Sequence, residues 1–308
     1  MLHITAGIFG NKEPAEALAK KLGKAGTVND IAIYNHGSSE GVFTYVVSNS
    51  DKIQTLLQVI NMTDVPVLVI SELNAAVGEQ IIAINEFGFD KGFIILENID
   101  EGQIMPLIKG TCIEKFSLVK SSELVEELKK IKIGRPAALS VPIDNYFNVK
   151  SVGTVVLGIM KSGSIKKYDK VVIQPTEKEV MVKGIQSQDK DFESTEPGMR
   201  VGLNIKGIEA DELKRGYSVG EIQNNTHLMK SKSIKLRFQK SKYSQPVKEN
   251  DPVFVSAGLQ VVAAKVTAAG ESVGLECEHL ICYSKDTKFL IATTKQSLPR
   301  IIGHGTLE

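Results

Sequence analysis

The chain has 308 residues, of which 42% are hydrophobic and 24% are charged, a composition typical of soluble globular proteins. Its net charge of +1 excludes a strong overall attraction to nucleic acid or to a membrane surface. Three cysteines cannot all pair, the first residues lack a basic leader, and the apolar runs are too short to span a bilayer. We therefore expect a cytoplasmic protein that binds neither membranes nor DNA.

The charge is distributed unevenly along the chain. Residues 1–136 carry 13 Lys and Arg against 17 Asp and Glu, residues 137–222 carry 12 against 12, and residues 223–308 carry 12 against 7. The net charges of these segments are therefore −4, 0 and +5. We expect the C-terminal segment to contact any polyanionic partner.

Residues 1–136 alternate between strand-like and helix-like segments. In chain order these are strand HITAGIF, helix PAEALAKKLGK, strands DIAIYNH and VFTYVVS, helix KIQTLLQVINM, strand VPVLVI, helix AAVGEQIIAINEFG, strand KGFIIL and helix SSELVEELKKI. This alternation predicts an α/β domain with a mostly parallel sheet, in which the apolar run VPVLVI is a buried strand.

After residue 136 the pattern changes to short β-rich runs separated by turn residues. The first set includes GTVVLGIM, KVVIQ and EVMVKGIQ, and the second follows EIQNNTH with SIKLRFQ, PVFVSAG and FLIATT. Such spacing is typical of antiparallel barrels. The sequence therefore predicts an α/β plus all-β protein with domains at 1–136, 137–222 and 223–308.

The second segment, from VPIDNYF to GYSVGE, resembles domain 2 of the translational GTPases, above all elongation factor Tu and the archaeal selenocysteine-specific elongation factor. The matching positions are Pro142, Asp144, Phe147, Gly153, Thr154, Val155, Gly158, Gly163, Lys166, Asp169, Pro197, Gly198, Gly202, Leu203, Gly207, Arg215 and Gly216. This resemblance implies a shortened P-loop-GTPase-like α/β domain followed by two antiparallel β-barrels that are similar to domains 2 and 3 of the family.

The phosphate-binding motif of this family, G-x-x-x-x-G-K-[ST], is not preserved. Its glycines expose backbone N–H groups, its lysine contacts phosphate oxygens and its hydroxyl holds Mg²⁺. The corresponding frame reads GNKEPAEA from Gly10, so that Glu16 replaces the lysine and Ala17 replaces the hydroxyl residue. At about 4 Å, a like-charge contact costs on the order of 4 kcal/mol at an effective dielectric constant of about 20.

Two other motifs are lost as well. VVSNSDK stands where D-x-x-G is expected, and ENID stands where N-K-x-D is expected. We predict a degenerate nucleotide site without catalytic residues or a cofactor, formed by Gly10, Asn11, Lys12, Glu16, Ala17 and Asp100. Because Lys12 could reach a phosphate from another direction, an elongation factor that still binds GTP or GDP through an unconventional pocket remains an alternative.

A basic segment, HLMKSKSIKLRFQKSKY, covers residues 227–243 and contains no acidic residue. Apolar and basic residues alternate in SIKLRFQK, so a strand here would bury one face and display a basic one. We predict RNA contacts at Lys230, Lys232, Lys235, Arg237, Lys240 and Lys242. The alternative is an ordinary edge strand whose lysines protect it from aggregation.

The resemblance implies one further candidate site. Domain 2 of the family receives the aminoacyl-adenosine end of tRNA with a loop that corresponds here to QSQDKDFEST, residues 186–195. Our candidates in it are Gln186, Gln188 and Asp189, although elongation factor Tu has a basic residue where Asp189 stands.

We expect a non-hydrolysing binding protein whose partner is tRNA, the ribosome or another translation factor. The alternative from another class is a protein-interaction module that competes for the partners of an elongation factor. No metal site is predicted, because the C-x-H-x-x-C spacing of Cys277, His279 and Cys282 is not a usual zinc spacing.

Overall fold

We describe the protein from a computed structural model that covers residues 1–38, 40–222 and 228–308. It consists of an α/β domain followed by two antiparallel β-barrels, which confirms the predicted fold class. The predicted boundary after residue 222 and His227 of the basic segment fall at or inside residues 223–227, outside the described residues. In the described part of the chain, no helix combines the length and apolar character that crossing a membrane requires.

The N-terminal domain is built on a mixed sheet. Its strands are β1 (Leu2–Gly10), β2 (Lys24–Val28), β3 (Ile31–Gly37), β4 (Gly41–Ser48), β5 (Val65–Ile70), β6 (Phe93–Leu96) and β7 (Ser117–Leu118). They lie in the order β2-β3-β4-β1-β5-β6-β7, antiparallel from β2 to β4 and parallel from β4 to β7. Every residue of β5 is buried, as its continuous apolar sequence predicts for a strand covered on both faces.

Helices cover both faces of this sheet. They are α1 (Lys12–Leu22), α2 (Ile53–Met62), α3 (Ala75–Phe87), α4 (Glu101–Ile108) and α5 (Leu124–Lys129), with a 3-10 helix at Cys112–Lys115. Apolar residues of α1 and α5 pack on one face, and those of α2, α3 and α4 pack on the other. The sequence patterns do not predict α4, because Gly102 and Pro106 both disfavour helix, nor the exposed strand β2, which reads KAGTV.

The second domain is a barrel. Its strands are β8 (Val141–Val149), β9 (Gly153–Ile159), β10 (Lys170–Gln174), β11 (Lys178–Ser187), β12 (Lys190–Phe192), β13 (Arg200–Lys206) and β14 (Ser218–Gly220). The order is β10-β14-β8-β9-β13-β11, and pairing of β10 with β11 closes the ring. Strand β12 forms a hairpin with the end of β11.

The third domain is also a closed barrel. Its strands are β15 (Leu228–Lys240), β16 (Pro252–Ala257), β17 (Gln260–Ala268), β18 (Ser272–Ser284), β19 (Phe289–Thr293) and β20 (Ile301–Leu307), in the order β15-β18-β17-β16-β19-β20. The basic segment lies on β15, which hydrogen-bonds to β18 on one side and to β20 on the other. Because β20 pairs with residues 236–240 of β15, the edge-strand alternative is wrong for Arg237 and Lys240, and it stays open for Lys230, Lys232 and Lys235, which precede that pairing.

The N-terminal domain contacts both barrels. Leu259, Leu290 and Ile301 of the third domain join the apolar core that α2 and α3 form on their side of the sheet. Polar contacts reinforce this interface, since Glu79 of α3 pairs with Arg300 at 2.6 Å and Glu86 of α3 contacts the imidazole of His304 at 2.7 Å. The core and these polar contacts therefore join the first and third domains.

The interface with the second domain is more polar. The carboxylate of Asp64, just before β5, pairs with Arg135 at 2.6 Å and with Lys161 at 3.4 Å. Arg215 of the second barrel reaches Asp30 of the first domain at 2.6 Å. Side-chain contacts therefore hold both barrels against the first domain.

Candidate functional site

Two clefts contain six of the site residues that the sequence predicts. The first, which we call the sheet-edge cleft, lies at the carboxyl ends of β1, β4 and β5 and has a volume of about 780 Å³. This edge is where open α/β sheets bind their ligands. Of the predicted nucleotide residues, Gly10, Asn11 and Lys12 line it.

The backbone at the start of this cleft is already hydrogen-bonded within the protein. Strand β1 ends at Gly10, and α1 begins two residues later. The N–H of Gly10 donates to Oε1 of Gln80 at 2.8 Å, and Nε2 of Gln80 donates to the Gly10 carbonyl at 2.9 Å. The N–H of Asn11 donates to the carbonyl of Val69 at 3.0 Å. These donors are therefore not directed at a ligand.

Asn11 ties the ends of β1 and β5 together. Its Oδ1 accepts the N–H of Ser71 at 2.8 Å and that of Glu72 at 3.2 Å. Gly10 is required beside it, because φ is 111° there and a Cβ would lie 1.8 Å from the carbonyl oxygen of Val69. In this protein the glycine therefore serves close strand packing.

The remaining predicted nucleotide residues lie away from the cleft. Glu16 and Ala17 belong to the second turn of α1, where Glu16 pairs with Lys20 at 2.7 Å. Asp100 precedes α4, and its N–H donates to Oε1 of Gln103 at 3.3 Å. Because α1 starts directly after β1, the frame GNKEPAEA is mostly helix and does not form a phosphate loop.

The third domain supplies part of the sheet-edge cleft, which sequence order could not reveal. Arg300 donates from its backbone N–H and its Nε to Oε1 of Glu79, at 2.6 and 3.1 Å, and from Nη1 to the carbonyl of Asp51 at 2.9 Å. The charged residues that line the cleft are Glu13, Asp51, Glu72, Glu79, Lys12, Lys52 and Arg300. The lining thus holds four acidic residues and three basic ones, of which Glu79 and Arg300 pair with each other.

The second cleft, which we call the inter-domain cleft, lies between β2 and β3 of the first domain and the second barrel. Its volume is about 800 Å³, and all three predicted loop residues, Gln186, Gln188 and Asp189, line it. Gln188 and Asp189 form the two-residue turn between β11 and β12, with φ of 50° and 60°. Positive φ at both positions is typical of a type I′ hairpin turn.

The turn between β11 and β12 reaches across to the first domain. Oε1 of Gln188 approaches Gly37 at the end of β3 so closely that a Cβ on Gly37 would lie 2.5 Å from it. The family resemblance indicated this turn, but nothing in the sequence indicated Gly37 as its neighbour.

The inter-domain cleft combines apolar and polar groups. The apolar residues that line it include Ile33, Phe147, Val155, Leu157 and Val201. The polar ones include Lys24, Asn35, Gln186, Asp189, Asp191, Arg200 and Asn204. Such a lining suits a flat, partly apolar ligand with hydrogen-bonding edges.

One charged residue in the lining of this cleft is held in place from within the barrel. The guanidinium of Arg200 pairs with the buried carboxylate of Asp144, with Nη2 at 2.8 Å from Oδ1. Arg200 is itself 8% exposed, so the pair is largely shielded from water. This pairing fixes the orientation of Arg200 in the wall of the cleft.

The basic stripe on β15 has the predicted alternation. Lys235 and Arg237 are exposed, whereas Ile234 and Leu236 are buried. Carboxylates neutralise part of it, since Lys230 pairs with Glu177 at 2.6 Å and Lys235 with Glu308 at 2.5 Å. The Nζ of Lys240 donates to the carbonyls of Ser241 and Ser244, and that of Lys242 lies 4.8 Å from the ring centre of Tyr243. Within the described residues, Lys232, Arg237, Lys240 and Lys242 have no carboxylate partner.

The cysteines of the third barrel are buried. Burial raises the pKa of the Cys277 and Cys282 thiols to about 12, and His279 between them is exposed. Across residues 1–38, 40–222 and 228–308, no group of three His, Cys, Asp or Glu side chains is placed to hold a metal ion.

Sequence comparisons find relatives over the whole chain and over its centre. The model of the family described as Elongation factor Tu domain 2 matches residues 153–220. An uncharacterized protein of Methanocaldococcus jannaschii is 33% identical over 313 residues, which cover 99% of each chain. Elongation factor 1-alpha of Cenarchaeum symbiosum is 32% identical over 127 residues, 41% of this chain and 27% of that protein. The chain thus aligns with about a quarter of that elongation factor.

Structural comparisons match all three domains. Elongation factor SelB of Methanococcus maripaludis, in complex with the GTP analogue GppNHp, gives a TM-score of 0.85 at 19% identity, covering 100% of this chain and 79% of that one. A bacterial selenocysteine-specific elongation factor gives 0.83 at 17% identity, covering 100% and 58%. The fold and the order of the domains are shared with these factors.

Proposed function

This chain belongs to the translational GTPase superfamily, and we propose that it acts there without hydrolysing GTP, as a cytoplasmic factor that binds the end of a tRNA. The observation that carries the first half is the pair of hydrogen bonds between Gln80 and the backbone of Gly10. They use both polar groups of the residue at which a phosphate loop would begin. Lys12 and Arg300 do not compensate, since acidic residues outnumber basic ones in this cleft.

The inter-domain cleft supports the second half of the proposal. It contains the turn that the family resemblance connects with the tRNA end, and its lining offers apolar surface beside amide groups. A nucleoside has a flat ring for the apolar side and hydrogen-bonding edges for the polar one. Phe147, which is 41% exposed, presents an aromatic ring on which a base can stack.

The test of GTP loss is direct. We expect purified protein to release no phosphate from GTP, and neither GTP nor GDP to raise its melting temperature, because a ligand that binds only the folded state stabilises it by mass action. Turnover that follows the protein through successive purification steps, or a GTP-dependent rise in melting temperature, would contradict this half.

The test of the cleft uses RNA ends. We expect aminoacyl-tRNA to bind, and a tRNA that lacks its last nucleotides to bind at least tenfold more weakly. Phe147→Ala should weaken the binding of intact aminoacyl-tRNA to a similar degree. Leu107→Ala is the control, because this apolar residue of α4 is 42% exposed and lies outside both clefts. Absence of tRNA binding would favour the protein-interaction module.

One observation favours the second candidate, nucleotide binding through an unconventional pocket. The N-terminal ends of α1, α2 and α3 all reach the sheet-edge cleft, where Lys12 and Lys52 are exposed. Helix N-termini attract anions. This candidate predicts that Lys12→Glu together with Lys52→Glu abolishes any GTP-dependent thermal shift, whereas the wild type shows one.

A further inference from the structure

Tyr168, on the outer wall of the second barrel, is an unusual surface residue. Its side chain is 60% exposed, and its backbone adopts φ of 72°. The other non-glycine residues with positive φ in the described part of the chain are Asn98, Ser151, Glu177, Gln188, Asp189 and Asn250. Bulky residues rarely adopt this conformation, which glycine takes freely. An aromatic ring is thus presented to solvent at a position that suits glycine better.

Two lysines lie beside this ring, and two more share the outer face of the barrel. The Nζ of Lys167 lies 5.4 Å from the ring centre, and that of Lys183 lies 5.8 Å from it. Lys170 on β10 and Lys206 on β13 both lie directly opposite Met181 on β11. Because residues opposite each other on neighbouring strands point to the same side of a sheet, the side chains of Lys170, Lys206 and Met181 all lie on the outer face of the barrel.

Most of this charge is available for a ligand. Lys167 lies 3.6 Å from the exposed carboxylate of Glu193. Within the described residues, Lys170, Lys183 and Lys206 have no ion-pair partner, in contrast to Lys230 and Lys235 of the stripe on β15. Asp169 directs Oδ2 to the N–H of Lys166 at 2.7 Å, so this carboxylate accepts a bond within the turn.

We propose that this tyrosine patch, defined as Tyr168 with Lys167, Lys170, Lys183 and Lys206, binds an unpaired segment of RNA. The proposal rests on the proposed function in that it assumes an RNA partner. One base stacks on Tyr168, and the lysines contact the phosphates on either side of it. Aromatic rings bordered by cations are the common means of binding single strands, whose bases are free to stack.

The position of the patch agrees with the inter-domain cleft. Lys183 is three residues before Gln186 on β11, which corresponds to about 10 Å along a strand. Gln186 lines the cleft, so an RNA whose end lies there would pass the patch within one or two nucleotides. A duplex would not offer a free base to Tyr168.

The test measures binding of a labelled single-stranded RNA 12-mer and of a hairpin with a fully paired stem. We expect Tyr168→Gly to lower the affinity for the 12-mer at least fivefold and Tyr168→Phe to lower it less than twofold. Because glycine suits φ of 72°, Tyr168→Gly should leave the melting temperature unchanged or raise it, which separates recognition from folding.

Charge reversals complete the test. Lys170→Glu with Lys183→Glu should lower the affinity for the 12-mer at least tenfold. It should also make the Kd depend less steeply on salt concentration. The matched control, Lys150→Glu with Lys214→Glu, reverses two exposed lysines elsewhere on this barrel and should have less than a threefold effect.

Three results would overturn the inference. One is equal binding by Tyr168→Gly and the wild type, another is equal affinity for hairpin and 12-mer, and the third is displacement of RNA by polyglutamate of the same charge, since that indicates simple charge attraction or an acidic protein partner. If aminoacyl-tRNA still binds in a manner sensitive to Phe147→Ala, only this inference fails. If no RNA binds at all, the proposed function fails with it.

Discussion

Arg300 and Glu79 show how single residues join two domains of this protein. They are 221 positions apart in sequence, and their side chains are 12% and 4% exposed. Arg300 directs a fork of donors at one carboxylate, the geometry in which arginine pairs are strongest. Removing one partner leaves the other buried without compensation, so the cost should be large even if the intact pair contributes little net stability.

We expect Arg300→Met or Glu79→Gln alone to destabilise the protein by about 3–5 kcal/mol. The double variant should recover much of that loss, because no charge is then left buried without a partner. Thermal denaturation of the wild type, the two single variants and the double variant gives the coupling free energy between the two side chains. Single variants that melt with the wild type would show that water reaches the pair and that it does not join the domains.

Asp64 is the corresponding residue at the other interface. Burial by itself raises the pKa of its carboxyl, but the ammonium of Lys161, the guanidinium of Arg135 and the N–H of Thr5 together hold that pKa below its ordinary value. A depressed pKa means that the folded state favours the carboxylate. The contribution of Asp64 to stability is therefore present above the unfolded pKa of about 3.9 and is lost as the pH falls further.

Asp64→Asn tests this sign. We expect its melting temperature to lie well below that of the wild type from pH 5 to 7, and the difference to shrink below about pH 4, where the carboxyl of the unfolded wild type begins to bind a proton that the folded state still excludes. Asp211→Asn, at an exposed carboxylate, should follow the wild type throughout. A difference that stays constant down to pH 3 would contradict the assignment.

At the scale of elements, the turn between β11 and β12 holds two non-glycine residues in a conformation that favours Asn and Gly. Strain of this kind tends to collect at functional sites. The turn also forms one wall of the inter-domain cleft, so stability and binding should respond to it in opposite directions.

Gln188→Asn with Asp189→Gly should therefore raise the melting temperature by one or a few degrees and weaken the binding of aminoacyl-tRNA. Asn250→Gly is a suitable control, because Asn250 in the third barrel has φ of 72° and lies outside both clefts. It should raise the melting temperature without altering RNA affinity. Unchanged RNA affinity of the turn variant would remove this loop from the site.

For the whole molecule, the question is whether the domains move when nucleotide is added. Contacts between the first domain and each barrel come from side chains, including Asp64 with Lys161 and Glu79 with Arg300. A ligand shifts a conformational equilibrium only through different affinity for the two states. The Glu79–Arg300 pair lines the sheet-edge cleft, but the start of α1 is bonded to Gln80 and forms no phosphate loop that could couple a γ-phosphate to that pair.

We expect small-angle scattering profiles of the protein to superimpose in the absence of nucleotide and in the presence of GTP or GDP. The radius of gyration should increase only when an interface is broken, for example in Arg300→Met. A nucleotide-dependent change in the wild type would show that the sheet-edge cleft still controls the domain arrangement.

The sequence alone was enough for the α/β-then-barrels order, because strand and helix periodicities are local. It also predicted the alternation on β15, and the resemblance led to Gln186, Gln188 and Asp189. It did not predict α4 or β2, whose glycines and proline obscure the local pattern.

Only the tertiary structure decided which residues meet. The bonds from Gln80 to Gly10, the approach of Gln188 to Gly37 and the pairing of Arg300 with Glu79 each join residues at least 70 positions apart. The registers between strands likewise bring Lys170 and Lys183 to the same side of the barrel as Tyr168. Periodicity reports which way a side chain faces, whereas its neighbours depend on how the chain closes on itself.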